Sequence, residues 1–406
     1  MAPVGPYPIV EAATDATDRH ALLILVDGIS ADILEEVSTP YIDAIAREGG
    51  FSRGYVGGVV GGVSESPTIS AVGYNHMLTG TWSHKHNVWT NDIHEPNYHY
   101  WNLFRLAAEQ RPELRTAIYS SWTENRTHLI GEGHAAAGDI TLDISHDGFE
   151  RDTLAFPHDD QGYFISDIDR HVSELAAKSI ADEAPHLSWV YLWYPDATGH
   201  RQGENDVHRQ SVRDADAQVG LIYEAVQERV ATFDEEWLVV VTTDHGRRLP
   251  EGQDHGGQSA REREIWYAIN SAEVNEYFRR STPGIVGVYP TIARYLSLPV
   301  PARLARELDG TPFMGNVSIS SPTAAIDKHS RELTLTWDAW HDDGAVQIFI
   351  SRTNHFSQGE NDRYEHVAEV DAREGTASID VSEHPSHFYK VVLEGEHNMV
   401  STWVTP

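Results

Sequence analysis

No cysteine occurs anywhere in the chain. That excludes disulfide bridges, thiolate zinc sites, cysteine nucleophiles and a formylglycine made from cysteine. Lysine is almost as scarce: Lys85, Lys178, Lys328 and Lys390 are the whole complement. Arginine makes up the rest of the 30 basic residues, against 62 acidic ones, for a formal net charge of -32. Such a surface repels phosphodiester backbones and anionic membranes, so duplex nucleic acid is excluded as a general partner. Salt adaptation and a GC-rich genome explain the balance equally well, and neither bears on the reaction. Long apolar runs are missing too. The longest near the N-terminus, Ala21 to Val26, is strand-sized, far short of the roughly 20 residues of a membrane span. No leader peptide is legible. The opening Met1-Ala2-Pro3-Val4-Gly5 reads as a processed N-terminus, which makes an exported protein, periplasmic or extracellular, the expectation.

What is present is enough apolar material, 40% of 406 residues, for one large domain and a small one. Residues 1–19 are polar, without periodicity, and read as an N-terminal arm. Ala21 to Val26 is a continuous apolar run, the pattern of a parallel strand buried on both faces. Thr116–Tyr119, Ser188–Leu192 and Trp237–Thr242 repeat it. Helical periods lie between them, at about residues 40–48, 102–109, 165–181 and 207–231. Alternating strand and helix predicts a mostly parallel sheet sandwiched by helices over 20–315. From residue 316 the texture changes to short alternating strands such as Leu333–Trp337 and Val346–Ile350. Residues 316–406 therefore read as an all-β sandwich. Trp337 on an early strand and Tyr389 on a late one resemble a fibronectin type III module, offering a glycan or surface contact. As an appended module, it is expected to be dispensable for catalysis on small substrates.

Chemistry-bearing residues collect where those buried strands end. Asp27-Gly28 follows the first, Asp196 and His200 the third, and Asp244-His245-Gly246 the fourth. Ligands of open α/β sheets bind beyond these carboxyl ends. The pair Asp196 and His200 is spaced to face one side of a helical turn. A glycine after Asp244-His245 lets the backbone leave the site sharply. With His255 in a glycine-rich loop there are three carboxylates and three imidazoles, a donor set that suits zinc. It suffices for two ions roughly 4 Å apart, as in in-line displacement at phosphorus. Singly, each has a plainer reading: Asp27 as a turn cap, Ser70 as a helix cap, His200 and His245 as satisfied core histidines, Asp254 as the real contact in place of His255.

Taken in order, the segments resemble the alkaline phosphatase superfamily, in particular its nucleotide pyrophosphatase/phosphodiesterase-like branch. The stretch Pro67 to Gly80, PTISAVGYNHMLTG, resembles the nucleophile segment; Pro195-Asp196-Ala197-Thr198-Gly199-His200 and Thr243-Asp244-His245-Gly246 resemble two metal segments; Pro290-Thr291-Ile292 and Asp309-Gly310 resemble the close. The resemblance spans about residues 20–315. It implies a hydrolase of small phosphate esters with Ser70 as nucleophile and a phosphoserine intermediate. It further implies two divalent ions, one on Asp196, His200 and His255, the other on Asp27, Asp244, His245 and the Ser70 oxygen. A phosphate-binding amide sought three residues beyond Ser70 is absent, because Gly73 stands there. Asn75, Asn91 and the basic cluster His84, Lys85 and His86 remain as substrate contacts. A phosphodiesterase is the first reading and a phosphomonoesterase the second. A phosphomutase lacks its large inserted domain here, and a formylglycine sulfatase lacks its Pro and Arg after the nucleophile. A binding or adhesion protein with a decayed site is the reading from another class.

Overall fold

In a computed structural model, residues 18–341, 344–383 and 385–405 are described; the segment read as an N-terminal arm lies almost wholly outside them. A seven-stranded sheet forms the heart of the larger part. Its strands are β1 (Arg19–Val26), β2 (Gly50–Tyr55), β3 (Thr116–Ser120), β4 (Ile144–His146), β5 (Leu187–Leu192), β6 (Glu236–Thr242) and β7 (Glu264–Ile269). Their order is β2-β7-β6-β1-β5-β3-β4. The central strands β6, β1, β5 and β3 are parallel, and these are the four that the apolar runs predict. β7 runs antiparallel to β6 and β2 antiparallel to β7.

The expected helices form at Pro40–Glu48, Leu103–Gln110, Tyr163–Glu183 and Asp206–Thr232. They have local reasons to start where they do. Asn102 accepts from the Arg105 N–H and Asn205 from those of Val207 and His208, each side chain satisfying N–H groups a helix start leaves open. Two apolar layers cover the sheet. On one face Leu22, Ile24 and Val26 pack with Ile168, Val172, Val219 and Ile222 from the two long helices. On the other Leu23 and Leu25 pack with Tyr74, Met77, Trp189 and Ile292. The alternation along β1 sends successive side chains to opposite layers, so both faces must be apolar and the strand reads as an unbroken run.

The C-terminal part holds two antiparallel sheets. β8 (Ile319–Ile326), β9 (Glu332–Ala339), β10 (Ala345–Ser351), β11 (Glu365–Asp371), β12 (Thr376–Asp380), β13 (Tyr389–Glu394) and β14 (Met399–Val404) divide into β11-β10-β13-β14 and β12-β9-β8. Trp337 and Tyr389 are both in its core. This part is not merely appended. Phe356, Val392 and Met399 belong to the same apolar cluster as Leu304, Leu308 and Tyr100 of the larger domain. Two of the chain's lysines lie in the seam. Lys390 Nζ is 2.8 Å from both Glu307 Oε1 and Asp362 Oδ2, and Lys85 Nζ is 2.6 Å from Asp309 Oδ1 and 2.8 Å from Ser401 Oγ. These two lysines are thus buried joints between the two parts, which argues against the dispensability expected of residues 316–406.

Candidate metal and phosphoryl-transfer site

Three neighbouring parallel strands, β6, β1 and β5, end side by side and deliver the acidic and imidazole groups. Asp27 follows β1 directly. Its next residue, Gly28, has φ +68, a turn that a side chain would obstruct, since a Cβ there would lie 2.7 Å from Asp196 Oδ1. Beyond β5 the helix Tyr194–Gln202 carries Asp196 and His200 one turn apart, with His200 Nε2 3.5 Å from Asp196 Oδ2. That helix starts over Asp169, whose buried carboxylate accepts from the N–H groups of Trp193 at 3.0 Å and Tyr194 at 2.7 Å. After β6 come Thr243, Asp244 and His245, all fully buried.

The nucleophile candidate arrives from the other side. Ser70 is the first residue of the Ser70–Thr79 helix. Gly73, one turn on, lets this helix touch the end of β6: a Cβ on it would lie 2.9 Å from both Cβ and the carbonyl oxygen of Asp244. The preceding Thr68 ties the same segment to the His255 loop. Its carbonyl lies 2.8 Å from His255 Nδ1, and its hydroxyl accepts from the Gly256 N–H at 3.0 Å. With Nδ1 donating to that carbonyl, the Nε2 lone pair of His255 turns inward, 3.0 Å from His200 Nε2. His245 is oriented likewise by the Gly246 carbonyl, 3.1 Å from Nδ1. The two rings stack with centroids 3.7 Å apart.

The site is electrostatically incomplete as protein alone. Asp27 Oδ1, Asp244 Oδ2 and His245 Nε2 are buried without a hydrogen-bond partner. His245 Nε2 lies 3.4 Å from Asp27 Oδ1 and 3.2 Å from Asp244 Oδ2. Burial, followed by the repulsion of Asp196, pushes Asp27 up to about 7. Burial and then Asp27 push Asp244 well above the carboxylate range, and burial holds His245 well below the usual imidazole value. A cation among them would satisfy these converging buried atoms. Donor atoms of Asp196, His200 and His255 lie within 4.8 Å of one another, as do those of Asp27, Asp196 and His245. These residues fit divalent cations in the chemistry of their donors and in their convergence.

A cavity of about 480 Å³ opens onto this cluster. Asp27, Ser70, Asn91, Asp196 and His200 line its chemical end; Tyr74, Trp122, Phe164 and Trp193 line its aromatic wall. Asn91 is held by its own carbonyl oxygen, which accepts from the Ala71 N–H at 2.9 Å, so its NH2 is left for the cavity beside Ser70. This side-chain amide lies beside Ser70 although 21 residues separate the two in sequence.

Other sequence-level substrate contacts lie elsewhere. Lys85 is consumed by the domain seam, and His84 sits edge-on to Trp403 with centroids 4.4 Å apart. His86 lies beside His76, and burial pushes it down to about 3. Asn75 is buried in its helix and does not line the cavity. For His84 and Lys85 the cause is shared: a short polar run in sequence looks solvated, whereas here Trp403 and Ser401 of the C-terminal sandwich cover it. Asp254, the alternative to His255, is exposed and pairs with Arg248 at 2.8 Å. Sequence reading missed Tyr191 as well. Its hydroxyl donates to Asp27 Oδ2 at 2.7 Å, joined by that of Tyr74, so one oxygen of Asp27 is fixed and the other is free. Inside an apolar strand run a tyrosine gives no signal of this.

Residues 21–292 match the family model described as type I phosphodiesterase / nucleotide pyrophosphatase. Among curated proteins the chain is 22% identical over 259 residues to human ectonucleotide pyrophosphatase/phosphodiesterase family member 7, covering 61% of this chain and 51% of that protein. The rat protein of the same name is 22% identical over 255 residues, covering 59% and 53%. The chain thus spans about half the length of the curated relatives it matches. Among solved structures, the phosphonate monoester hydrolase of Agrobacterium radiobacter aligns with a TM-score of 0.52 at 14% identity, over 95% of this chain and 89% of that one. This last likeness establishes the fold, a mostly parallel sheet between helices with C-terminal antiparallel sheets.

Proposed function

The chain belongs to the type I phosphodiesterase/nucleotide pyrophosphatase family, and from that premise we propose that it hydrolyses small phosphodiesters with Ser70 as nucleophile. One observation carries the reading. Ser70, at a helix start, shares a cavity with Asn91, Asp27, Asp196 and His200, and Asp27 Oδ1 is buried there without a partner, as are the neighbouring Asp244 Oδ2 and His245 Nε2 behind it. Asp196, His200 and His255 would hold one divalent ion, and Asp27, Asp244, His245 and the Ser70 oxygen a second, with zinc the metal that these donors favour. Bound there, such ions make the serine oxygen easier to ionise and offset charge that gathers on the phosphoryl oxygens.

The chain's own groups do the rest. Ser70 Oγ attacks phosphorus as its hydroxyl proton passes to solvent, and the bond to the alcohol breaks on the opposite side, the departing oxygen taking up a proton from water. Water then cleaves the phosphoserine ester, returning the hydroxyl and releasing a phosphomonoester. Asn91 donates through its NH2 to a non-bridging oxygen, and the start of the Ser70–Thr79 helix adds the positive end of its dipole. The aromatic wall receives the apolar or planar part of one alcohol. Among the described residues no lysine lines the cavity, and Arg201 is the one basic side chain there besides His200. That favours a singly charged diester over a doubly charged monoester. An intact set of ligand types also speaks against a decayed binding protein. For the C-terminal sandwich, the core positions of Trp337 and Tyr389 support a fibronectin type III-like assignment.

A chromogenic diester compared with its matching monoester, with zinc supplied, tests the substrate. The diester is expected to have the higher kcat/KM; a monoester preference makes this a phosphomonoesterase instead. Asn91→Ala is expected to lower kcat by about 10²- to 10³-fold, the usual loss when one donor to a developing oxyanion is removed. A loss confined to KM would show that Asn91 only binds.

A further inference from the structure

The residue directly after Asp244-His245-Gly246 is Arg247, and its side chain is 0% exposed. An arginine buried this deeply is costly unless every N–H is used and its charge is matched. Each of the three nitrogens of Arg247 donates, and its charge faces Asp196, between two segments of the proposed metal site. Nη1 donates to Asp196 Oδ1 in an ion pair of 2.5 Å. Nη2 donates to the Gln253 carbonyl at 2.6 Å, and Nε to the Gly252 carbonyl. Its own backbone is pinned in turn, the N–H donating to Ser30 Oγ at 3.0 Å and the carbonyl accepting from Arg261 Nη1 at 2.9 Å. Room for the guanidinium comes from two glycines. A Cβ on Gly199 would lie 2.5 Å from Arg247 Cζ, and one on Gly28 would lie 2.9 Å from Nη1.

We propose that Arg247 is the positioning residue that assembles the Asp196–His200–His255 ion site, bridging the helix that bears Asp196 and His200 to the loop that bears His255. This inference rests on the two-ion reading given above. Two consequences follow from the bonds. Asp196 has Oδ1 committed to Arg247, so Oδ2, the oxygen nearer His200, is the one left to face an ion. The loop 252–255 has two successive carbonyls fixed on the guanidinium, and the residue that follows them by two positions is His255. Asp196 and His255 are distant in sequence and are held by separate contacts, Asp169 under the one helix and Thr68 beside the other loop; Arg247 is the side chain that bonds to both segments. A planar fork can serve a carboxylate and two carbonyls at once, and an ammonium cannot. The other cluster, Asp27, Asp244 and His245, makes no bond to the guanidinium; its anchors are Tyr74, Tyr191 and the Gly28 N–H.

The test is calorimetric zinc titration of metal-stripped full-length protein, with cobalt absorption spectra as a second readout. Wild type is expected to take two equivalents; if it takes none, the two-ion reading fails before Arg247 is at issue. In Arg247→Met, one equivalent is expected to weaken by about 10- to 100-fold, the usual cost of losing a group that orients metal ligands. The other equivalent should keep its wild-type affinity, with half of the cobalt spectrum changed. Arg247→Lys should weaken the same equivalent, and remains informative where the Met variant does not fold. Arg248→Met, which removes only the exposed pair with Asp254, should leave both unchanged. Two wild-type equivalents in both Arg247 variants, equal weakening of both ions, or full rescue by lysine would each overturn the proposal.

Discussion

Replacing Ser70 with alanine is expected to cut turnover of a chromogenic diester by at least about 10³-fold, leaving mainly what binding and charge stabilisation provide without a nucleophile. The fold should not suffer. Ser70 is the first residue of its helix, the cap position before it is Ile69, and alanine is a good helix former. Metal content should hold near wild type, because Asp27, Asp244 and His245 remain to receive an ion at that position. The combination is what discriminates. Full metal with no turnover and no phosphoserine in a mass spectrum of quenched protein would place the chemistry on Ser70. A rate within tenfold of wild type would mean that water attacks phosphorus directly, and Ser70 would be demoted to a ligand or a cap. A rate loss with parallel metal loss would mean the hydroxyl matters through the ion alone.

What the sequence disclosed about this site follows from how each residue earns its position. Asp27, Asp196, His200, Asp244 and His245 sit at the ends of β1, β5 and β6, and those strands are buried on both faces. An unbroken apolar run is the strongest strand signal that a sequence offers, so the polar residue that ends it stands out. Strands β2 and β7 gave less. β2, Gly-Phe-Ser-Arg-Gly-Tyr, lies at the sheet edge with Phe51 exposed, Arg53 and Tyr55 half-buried and two glycines, a pattern that a loop shares. Asn91 is legible only as a polar residue in a loop; nothing local says that its carbonyl meets the Ala71 N–H. Arg247 reads as half of an ordinary Arg-Arg pair, and only the glycines at 28 and 199 show that one of the two turns inward. The error over His84, Lys85 and His86 ran the other way. The cover of His84 and Lys85 comes from residues more than 300 positions later, Trp403 and Ser401, and no local pattern carries that information.

That same cover decides the second large effect. A chain ending at residue 315 is expected to yield no soluble, folded catalytic domain. The cut would expose the apolar surface now closed by Phe356, Val392 and Met399. Burial of such side chains contributes about 1.5–3 kcal/mol each, and a domain's whole margin is only ~5–15 kcal/mol. It would also strip Tyr100 of its contact with Phe356 at 5.0 Å and Tyr277 of its contact with Trp340 at 5.6 Å. The Arg294 guanidinium would lose its bonds to the carbonyls of Asn316 and His397, both 2.8 Å. A single substitution separates this seam from the rest of the sandwich. Lys390→Met leaves Glu307, 1% exposed, and Asp362 buried together without their shared cation. Removing one partner of a buried ion pair costs about 3–5 kcal/mol because the other charge stays behind, so the variant should melt well below wild type. Lys328→Met, on the exposed turn before β9, should not. A soluble 1–315 fragment with wild-type turnover, or a Lys390→Met protein that melts with wild type, would return the sandwich to the status of an independent module. Loss of both would make it part of the catalytic unit, holding the segment from Trp82 to Asn91 in place and with it the amide beside Ser70.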